Sequence, residues 1–271
     1  MADYIFSFIG TGNMGGALAR AAARKLPPEA ILLSNRTPEK AAALAEELKC
    51  GHAAPHRAAE QGKYIFLGVK PQMMGDLLAE IGPVLARRRD RFLLVTMAAG
   101  LTMERIAAMA GGDYPVIRIM PNTPCAVGEG VILCDANERV TEEELTEFMD
   151  DMSGAGVVDR LEERLIDAGS AVSGCGPAFV CLLLEALADG GVAAGLPRGT
   201  AIELAAQLLV GSGKMLLDQQ VHPEVMKDSV CTPGGSTIAG CRALERGAFR
   251  FTVISAVEEA IGKMREVARD A

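Results

Sequence analysis

Two glycine-rich stretches have the residue types and the spacing to bind anions. The first, FIGTGNMG over residues 8–15, has the spacing GxGxxG, and the second, CTPGGST over residues 231–237, has two adjacent glycines before two hydroxyl residues. Glycine lets a ligand come close to the backbone, and the first amides of a helix have no acceptor within that helix. Such amides bind phosphate or carboxylate groups. The sequence therefore offers one candidate anion site near each end.

The first stretch lies between a predicted strand, Tyr4–Ile9, and a predicted helix that begins at Met14. In that context GxGxxG is typical of a dinucleotide site. Gly10 would permit the tight turn, Gly12 would let the backbone approach a pyrophosphate, and Gly15 would let helix and strand pack closely. The alternative interpretation is a glycine-rich turn that binds no ligand.

The end of the second predicted strand, Ile31–Ser34, indicates which nucleotide would bind. An NAD site usually has an acidic residue there to bond the ribose hydroxyls. This chain instead reads SNRTP over residues 34–38, and the planar, charged guanidinium of Arg36 suits a phosphate. The sequence favours NADPH over NADH, with a solvated loop arginine as the alternative.

Two further loops, Gly68-Val-Lys-Pro71 and Met97-Ala-Ala-Gly100, also follow predicted strands. Ligands of open α/β sheets lie beyond the carboxyl ends of the strands, so both loops are candidate walls of the same site. We expect Lys70 to have a positioning role, because Pro71 stiffens the turn beside it.

Short β-rich runs alternate with Ala-rich amphipathic segments through residues 1–162, which predicts an α/β domain with a mostly parallel sheet covered by helices. A capping box over residues 141–144 predicts one more helix. After residue 162 only helical patterns follow, so we expect an all-helical domain over residues 163–271. The predicted strands are Tyr4–Ile9, Ile31–Ser34, Tyr64–Val69, Phe92–Thr96, Val116–Met120, Gly130–Cys134 and Val157–Leu161. The predicted helices are Met14–Lys25, Pro38–Leu48, Gln72–Leu85, Met103–Met109, Pro177–Ala194, Gly199–Leu217 and Arg250–Arg269.

The first long helix of the C-terminal domain is apolar on most sides through Leu187. A domain of about a hundred residues cannot easily bury such a helix alone, so we expect a second subunit to cover it in an obligate homodimer. The most apolar stretch, Ala178–Ala188, is interrupted by Glu185 and followed by Asp189. We therefore predict no membrane-spanning segment.

The composition of the chain argues against several classes of function and site. A net charge of -8, no Trp and only three Tyr argue against binding nucleic acid. Seven Cys without a CxxC pair, and three His outside any metal-ligand spacing, predict free thiols in a reducing cytoplasm and no metal site. The N-terminal MADYIFSFIG has neither a basic lead nor a long apolar run, so we expect no secretory signal.

The second stretch predicts a different anion site. A helix that begins near Gly235 would aim successive amides at one point and could hold a carboxylate or a phosphate without any Lys or Arg. Thr232 and Thr237 would remain to contact a second polar atom. The alternative is an ordinary helix cap. Cys231 suggests a nucleophile, but the sequence offers nothing nearby to lower its pKa, and a small packing residue is the favoured interpretation.

The motif DSVCTPGGST closely resembles the signature of the Δ1-pyrroline-5-carboxylate reductase family. The stretches FIGTGNMG, SNRT, GVKP, MAAG, RIMPNTP and SGCGPAF occur in the order of that family, so the resemblance covers essentially the whole chain. It implies an N-terminal Rossmann-type domain and an all-helical C-terminal domain through which two subunits interlock, with dimers often assembled into rings. It also implies that NAD(P)H delivers a hydride to the C=N carbon of a cyclic imine carboxylate, which gives L-proline, the final step of proline biosynthesis.

The resemblance also implies roles for individual residues. Thr237 would be the catalytic group, a hydroxyl that orients the ring nitrogen and relays a proton. Arg57 stands where many relatives carry an Asn near the adenosine. The residues implied to bind the cofactor are Ile9, Gly10, Thr11, Gly12, Asn13, Met14, Gly15, Asn35, Arg36, Arg57, Gly68, Val69, Lys70, Pro71, Met97, Ala98, Ala99 and Ser229. Those implied to bind the substrate are Glu163, Thr232, Gly234, Gly235, Ser236 and Thr237, with the amides of the last three on the carboxylate.

Two other functions remain open. A β-hydroxyacid dehydrogenase also joins a Rossmann half to a helical half, but it needs a lysine early in an interdomain helix, and the helix after SGCGPAF has none. A non-catalytic NADP-binding sensor would keep the first glycine cluster but would have no use for the second.

Overall fold

The computed structural model describes residues 2–270, with side chains as far as Glu266. Contacts between Cα atoms divide the chain into two compact units. The first comprises the residues up to Cys175 together with those from Ala260 onward, and the second is Gly176–Glu259. The domain boundary that the sequence predicts after residue 162 stays a prediction, and the helix that follows it packs on the sheet of the first unit.

An eight-stranded sheet forms the centre of the first unit. In chain order its strands are β1 (Tyr4–Ile9), β2 (Ile31–Ser34), β3 (Gly51–His52), β4 (Gly62–Leu67), β5 (Leu93–Thr96), β6 (Val116–Pro121), β7 (Gly130–Ala136) and β8 (Gly156–Arg160). Across the sheet the order is β3-β2-β1-β4-β5-β6-β7-β8. Neighbours run parallel, except that β7 is antiparallel to β6. The predicted mostly parallel α/β fold is confirmed.

The helices of the first unit are α1 (Asn13–Ala22), α2 (Pro38–Leu48), α3 (Pro55–Gln61), α4 (Met74–Leu85), α5 (Met103–Met109), α6 (Glu142–Asp151) and α7 (Glu163–Ser173). The capping box predicted for α6 is present, since Thr141 and Glu144 each accept the other's amide hydrogen through their side chains. The strand β3 and the helices α3 and α7 were not predicted from the sequence. The strand β3 has two residues and α3 has seven, which is too short to show a period.

Apolar side chains cover both faces of the sheet, as buried parallel strands require. Phe6, Phe8, Tyr64 and Phe66 alternate onto one face, where Phe8 and Phe66 stack with ring centroids 4.2 Å apart. Tyr64 donates to the carbonyl oxygen of Glu144 at 2.8 Å, and desolvation by burial raises the pKa of this phenol. The opposite face packs against α3, α4 and α5.

Three glycines, Gly10, Gly15 and Gly68, let separate backbone segments pass very close to one another where β1 ends. Gly10 has φ +105°, and a Cβ there would lie 2.4 Å from the carbonyl oxygen of Gly68. A Cβ at Gly15, on the first turn of α1, would lie 2.0 Å from the carbonyl oxygen of Gly10. These contacts are with backbone atoms that cannot move away, so the chain needs glycine here for packing, before any ligand is considered.

The second unit is helical, with α8 (Gly176–Ala193), α9 (Arg198–Gln219), α10 (Pro223–Ser229), α11 (Ser236–Arg246) and α12 (Phe249–Asp270), whose last residues group with the first unit. The three long predicted helices correspond to α8, α9 and α12. The short α10 was not predicted. Among the described residues of this unit, the buried apolar side chains are only those of Ala188, Ala201 and Ala205. The unit therefore has almost no core of its own.

Large apolar side chains of the second unit are instead exposed in the single chain, including Leu182 on α8 at 67% and Phe251 on α12 at 71%. Two helical stretches, Glu163–Ala193 and Arg198–Gln219, are long and apolar enough to span a bilayer by length and composition. The prediction of no membrane-spanning segment considered only Ala178–Ala188, with Glu185 inside it and Asp189 after it, and it stays a prediction. Length and composition do not separate a bilayer from a protein partner as the cover of these helices.

The close approach at the end of β1 predicts opposite effects for two adjacent glycines. Gly15→Ala should lower the free energy of unfolding by about 1–3 kcal/mol or more, because the added methyl overlaps a backbone oxygen. Gly16→Ala is the matched control. Its Cβ would meet a flexible Arg20 nitrogen at 3.4 Å, so it should be neutral or stabilise α1 by about 0.5–1 kcal/mol. Urea denaturation followed by circular dichroism measures both, and equal stabilities would contradict the packing described.

Candidate active site

A cavity of about 920 Å³ opens at the carboxyl ends of β1, β2 and β4. The chain passes from β1 to β2 on one side of β1 and later returns to β4 on the other, so the strand order reverses at this point. Open α/β sheets bind their ligands at such a switch point. The location is the one that the GxGxxG motif predicts.

Eight of the predicted cofactor residues line this cavity, and they come from three separate loops. They are Ile9, Gly10, Gly12, Asn35, Arg36, Gly68, Val69 and Lys70. Of the other predicted residues, Thr11, Asn13, Met14, Gly15 and Pro71 are their neighbours along the chain. The loop Met97–Ala99 follows β5, beside β4 at the same edge of the sheet, and is not part of the lining.

The start of α1 is arranged to receive an anion. Gly12 is its N-cap residue, and within the described chain no side chain caps this helix and its first turn has no acidic residue. A Cβ built at Gly12 would meet no described atom within 4 Å, in contrast to Gly10 and Gly15. Protein packing therefore does not explain a glycine at this position. Space for a ligand beside free amide hydrogens does explain it.

Thr11 and Asn35, which are joined by a hydrogen bond, add polar groups beside the start of α1. The Thr11 amide donates to Oδ1 of Asn35 at 3.3 Å, and Nδ2 of Asn35 donates to the Thr37 carbonyl oxygen at 3.2 Å. The buried Thr11 hydroxyl makes no hydrogen bond to any residue that the structure describes. A buried hydroxyl without a partner is costly, so a bound polar ligand would be a natural partner for it. The residues present fit a dinucleotide.

Two cations stand together where the adenosine end of such a cofactor would be recognised. Arg36 immediately precedes the N-cap of α2, and Lys40 lies on the first turn of that helix with its amide donating to the Thr37 carbonyl oxygen at 3.1 Å. Both side chains line the cavity. Arg36 was predicted from the sequence and Lys40 was not, although Lys40 follows it closely at the start of the predicted helix α2.

The remaining lining residues were not predicted, and they come from α2, from β3 and α3, and from α4, together with residues next to these elements. These residues are Thr37, Pro38, Ala41, His52, Ala53, Ala54, Pro55, Met73, Asp76, Leu77 and Glu80. Arg57, predicted to lie near the adenosine, is not among them. It lies on α3, where Nη1 pairs with Oε2 of Glu60 at 2.9 Å, and it borders a second cavity with Arg87 and Arg88. Its role in cofactor binding stays a prediction.

Glu163, a predicted substrate residue, begins α7 in the first unit. Its Oε1 accepts the Met103 amide hydrogen at 2.9 Å and lies 3.4 Å from Nη1 of Arg118. The Glu163 amide itself donates to Oδ2 of Asp135 at 2.6 Å. The side chain keeps 27% of its surface exposed, so the carboxylate is fixed but accessible.

The second glycine stretch forms a tight turn in the second unit. The Gly235 amide donates to the Thr232 carbonyl oxygen at 2.9 Å, Pro233 occupies the second position, and Gly234 has φ +71° at the third. This is the residue pattern of a type II turn. A Cβ at Gly235 would lie 2.4 Å from the Thr232 hydroxyl oxygen, so the side chain of Thr232 rests against the turn.

The helix α11 starts directly after this turn. Gly235 is its N-cap residue, and in the described part of the chain no side chain caps it and no acid lies in its first turn. The expectation that the Gly235 amide holds a carboxylate needs correction, because that amide already closes the turn. The amides of Ser236 and Thr237 remain, and Thr237 is exposed on the first turn.

Ser229 and Cys231, near this turn, both interact with neighbouring residues of the same unit. The Ser229 hydroxyl, at the end of α10, donates to the Met226 carbonyl oxygen at 2.7 Å. Desolvation and the neighbouring Cys241 thiol raise the pKa of Cys231. A raised pKa disfavours the nucleophilic thiolate, in agreement with a packing role for Cys231. No group of three or more His, Cys, Asp or Glu side chains that could hold a metal occurs among the residues described.

The chain is similar over nearly its full length to curated proteins of one kind. It is 37% identical over 265 residues to the pyrroline-5-carboxylate reductase of Escherichia coli (strain K12), which covers 97% of each chain. It is 36% identical over 267 residues to that of Pisum sativum, which covers 98% of this chain and 96% of the relative. The chain belongs to the pyrroline-5-carboxylate reductase family.

Models of protein families match the two halves separately. Residues 163–267 match the family described as pyrroline-5-carboxylate reductase dimerisation. Residues 5–100 match the family described as NADP oxidoreductase coenzyme F420-dependent. A solved pyrroline carboxylate reductase from Plasmodium falciparum, described as having NADP bound, is 30% identical, has a TM-score of 0.86 and covers 99% of each chain. As a member of the pyrroline-5-carboxylate reductase family, the chain has a helical region that corresponds to a dimerisation domain.

The two cations of the cavity predict how this family member selects its nucleotide. Arg36→Ala should weaken NADPH binding roughly tenfold and leave NADH binding within about twofold, because it removes a charged partner of the extra phosphate only. Lys40→Ala should have a smaller effect of the same sign. Isothermal titration calorimetry of the purified protein measures the dissociation constants.

Arg87→Ala is the matched control for these substitutions. Arg87 is an exposed arginine that borders the second cavity, and its Nε donates to the Pro83 carbonyl oxygen. This variant should bind both nucleotides as the unsubstituted protein does. An unchanged NADPH to NADH ratio in Arg36→Ala would exclude Arg36 from phosphate recognition.

Proposed function

We propose that this protein reduces L-1-pyrroline-5-carboxylate to L-proline with NADPH, and less readily with NADH, as the last step of proline biosynthesis. The observation that carries the proposal is the turn from Thr232 to Gly235, which ends at the uncapped N-terminus of α11. The turn and the free amides that follow it offer an anion site for a small carboxylate. Both lie within the region that matches the family's dimerisation model. Membership of the family supplies the identity of the ring.

The carboxylate of the substrate is held by the amides of Ser236 and Thr237. These two hydrogens point out of the first turn of α11, and the helix dipole adds a partial positive charge beside them. Pro233 and the left-handed Gly234 fix the approach, so the site is pre-formed and loses little entropy when the substrate binds. Thr232, whose side chain rests against this turn, adds a further substrate contact.

The Thr237 hydroxyl orients the ring nitrogen and relays its proton. A threonine hydroxyl is too weak an acid at neutral pH to protonate the nitrogen outright, but it can accept from and donate to neighbouring groups. The protonated imine is already electrophilic, so catalysis depends on positioning more than on a strong acid or base. This agrees with a site built from backbone amides and one hydroxyl.

The residues of the first cavity would hold the nucleotide. The amides at the start of α1 suit the pyrophosphate, and Arg36 with Lys40 suits the phosphate that distinguishes NADPH from NADH. When bound, the nicotinamide supplies the hydride that the imine carbon receives. The loops Gly68–Pro71 and Met97–Ala99 contribute the walls.

The exposed apolar helices α8, α9 and α12 are covered by a second copy of the chain rather than by lipid. Three observations support this: among the described residues the second unit buries only alanines as apolar side chains, its apolar surface is spread over several helices, and its sequence matches a dimerisation family. Dimers assemble further into a ring. The net charge of -8 and the free thiols favour a cytoplasmic protein that binds neither membrane nor nucleic acid.

The role of Thr237 predicts a loss of turnover without a loss of cofactor affinity. Thr237→Ala should lower kcat for pyrroline-5-carboxylate roughly tenfold or more, because it removes one hydrogen bond near a developing charge. Thr237→Ser, which keeps the hydroxyl, should retain most of the activity. Turnover is followed by NADPH absorbance, and the NADPH dissociation constant is measured separately. An equal loss of both quantities in Thr237→Ala would contradict the assignment.

The same assay tests the proposed function against its two alternatives. The protein should oxidise NADPH with pyrroline-5-carboxylate and show no comparable rate when 2- or 3-hydroxy acids are supplied with NADP in the reverse direction. Oxidation of hydroxy acids would favour a dehydrogenase. Binding of NADPH without oxidation in the presence of the imine would favour a nucleotide sensor.

A further inference from the structure

Two carboxylates stand in the wall of the cofactor cavity and have no part in the steps described above. Asp76 and Glu80 lie four residues apart on α4, about one turn, and both are exposed. Both line the cavity. Among the residues that the structure describes, none donates a hydrogen bond to the Glu80 carboxylate. This carboxylate is therefore free to accept a hydrogen bond from a ligand in the cavity.

The helix itself explains Asp76 but not Glu80. Asp76 is in the first turn of α4, where the helix dipole stabilises a negative charge. That benefit falls off beyond the first turn, and Glu80 lies past it. The two like charges also repel each other, because residues four apart are neighbours on a helix surface. The stability of α4 therefore gives no reason for a carboxylate at position 80.

The charge of the cavity makes Glu80 more unusual. The side chains of Arg36, Lys40 and Lys70, which also line it, are all cationic, as a site for a nucleotide phosphate requires. A carboxylate in the same wall repels those phosphates. It favours binding only if the nucleotide presents a hydrogen-bond donor to it, because an ionised carboxylate can only accept.

The wall beside Glu80 is apolar and suits a flat ring. It is formed by Ala53, Ala54 and Pro55, which follow β3, and by Met73 and Leu77. Leu77 lies three residues before Glu80, on the same face of α4. A slot of apolar side chains with one polar group at its border is the usual form of a site for an aromatic ligand.

The position of this slot indicates which ring it would take. The slot includes the residues after β3, and β3 pairs with β2, the strand that Arg36 follows. Arg36 and Lys40 are the proposed partners of the extra phosphate of NADPH, which is carried by the ribose of the adenosine. The ring attached to that ribose is adenine, and its exocyclic amine is a hydrogen-bond donor.

We propose that Glu80 is a specificity-determining residue, which accepts a hydrogen bond from the exocyclic amine of the adenine ring. It selects nucleotides with an amine at this position over those with a keto oxygen there. This inference rests on the proposed function, because it concerns the nucleotide of that reaction. All the residues that carry it belong to the first compact unit.

The test compares NADPH with its deamino analogue, in which hypoxanthine replaces adenine, by calorimetry in the absence of the imine. The unsubstituted protein should bind NADPH roughly tenfold more tightly, as the loss of one charge-assisted hydrogen bond predicts. In Glu80→Gln the two affinities should become nearly equal, because an amide can accept from an amine or donate to a keto oxygen. Equal affinities in the unsubstituted protein, or an unchanged ratio in Glu80→Gln, would overturn the proposal.

A second substitution should reverse the preference. Glu80→Lys replaces an acceptor by a donor, so it should favour the deamino analogue over NADPH. The added cation raises the affinity for both nucleotides, and the ratio of the two dissociation constants removes this shared effect. A ratio that still favours NADPH in Glu80→Lys would contradict a direct contact with the amine.

Two matched controls separate the hydrogen bond from the loss of a charge. Glu39→Gln removes a carboxylate from the first turn of α2, between two lining residues but outside the described lining. Asp76→Asn removes the neighbouring carboxylate of α4. Both should change the two affinities together and leave their ratio within about twofold, because neither removes the hydrogen bond. Loss of the preference in either control would overturn the assignment to Glu80.

The outcomes also separate this inference from the proposed function. The binding ratios are measured without the imine, and reduction of pyrroline-5-carboxylate is assayed by itself. A protein that distinguishes the two nucleotides through Glu80 but does not reduce the imine would overturn only the proposed function. A protein that reduces the imine but keeps its nucleotide preference in Glu80→Gln would overturn only the role of Glu80. Failure to bind NADPH at all would overturn both.

Discussion

Both proposed ligand sites depend on the same physical constraint, which is that the first amides of an α-helix have no acceptor within the helix. In α1 and in α11 a glycine occupies the N-cap, and no described side chain compensates for the free amides. A helix start of this kind is unfavourable in isolation and favourable beside an anion. We propose that the protein uses it for a pyrophosphate in one unit and a carboxylate in the other.

The glycines of the first site serve two different purposes. Gly10, Gly15 and Gly68 allow backbone atoms to approach one another, and a methyl group at any of them would overlap a carbonyl oxygen. Gly12 is different, because a methyl group there would meet open space. In the GxGxxG motif, packing requires Gly10 and Gly15, while the proposed ligand accounts for Gly12. The close contacts at Gly10 and Gly15, and the open space at Gly12, agree with the separate purposes that the spacing predicts for these three glycines.

The two units differ in how they are stabilised. The first has a sheet with apolar clusters on both faces, and its aromatic residues pack around Phe6 and Phe66. The second leaves Leu182, Leu217 and Phe251 largely exposed in the single chain. Since apolar burial supplies most of the driving force for folding, the helical unit depends on what covers it. Family membership, through a dimerisation region that spans residues 163–267, points to another subunit as the cover.

Local signals in the sequence were sufficient for most of the fold. Hydrophobic periodicity located every strand except the two-residue β3, and it located the long helices α8, α9 and α12 to within about two residues, the usual uncertainty of such boundaries. The turn from Thr232 to Gly235 was also readable, because Pro and Gly fix backbone angles regardless of their surroundings. By contrast, α3, α7 and α10 were missed. Each is shorter than the long helices, and α3 and α10 have only seven residues, which is too short to show a period.

The sequence by itself determined where helices start, which residues permit close backbone approach, and which motifs the chain shares with its family. These properties depend on the residues within a few positions of each other. Only the tertiary structure decided that β7 runs antiparallel to β6, that Lys40 and His52 join Arg36 around one cavity, and that Arg118 meets Glu163 across 45 positions of the chain. Such contacts depend on the path of the backbone between distant residues, and the local pattern of the sequence does not contain that path.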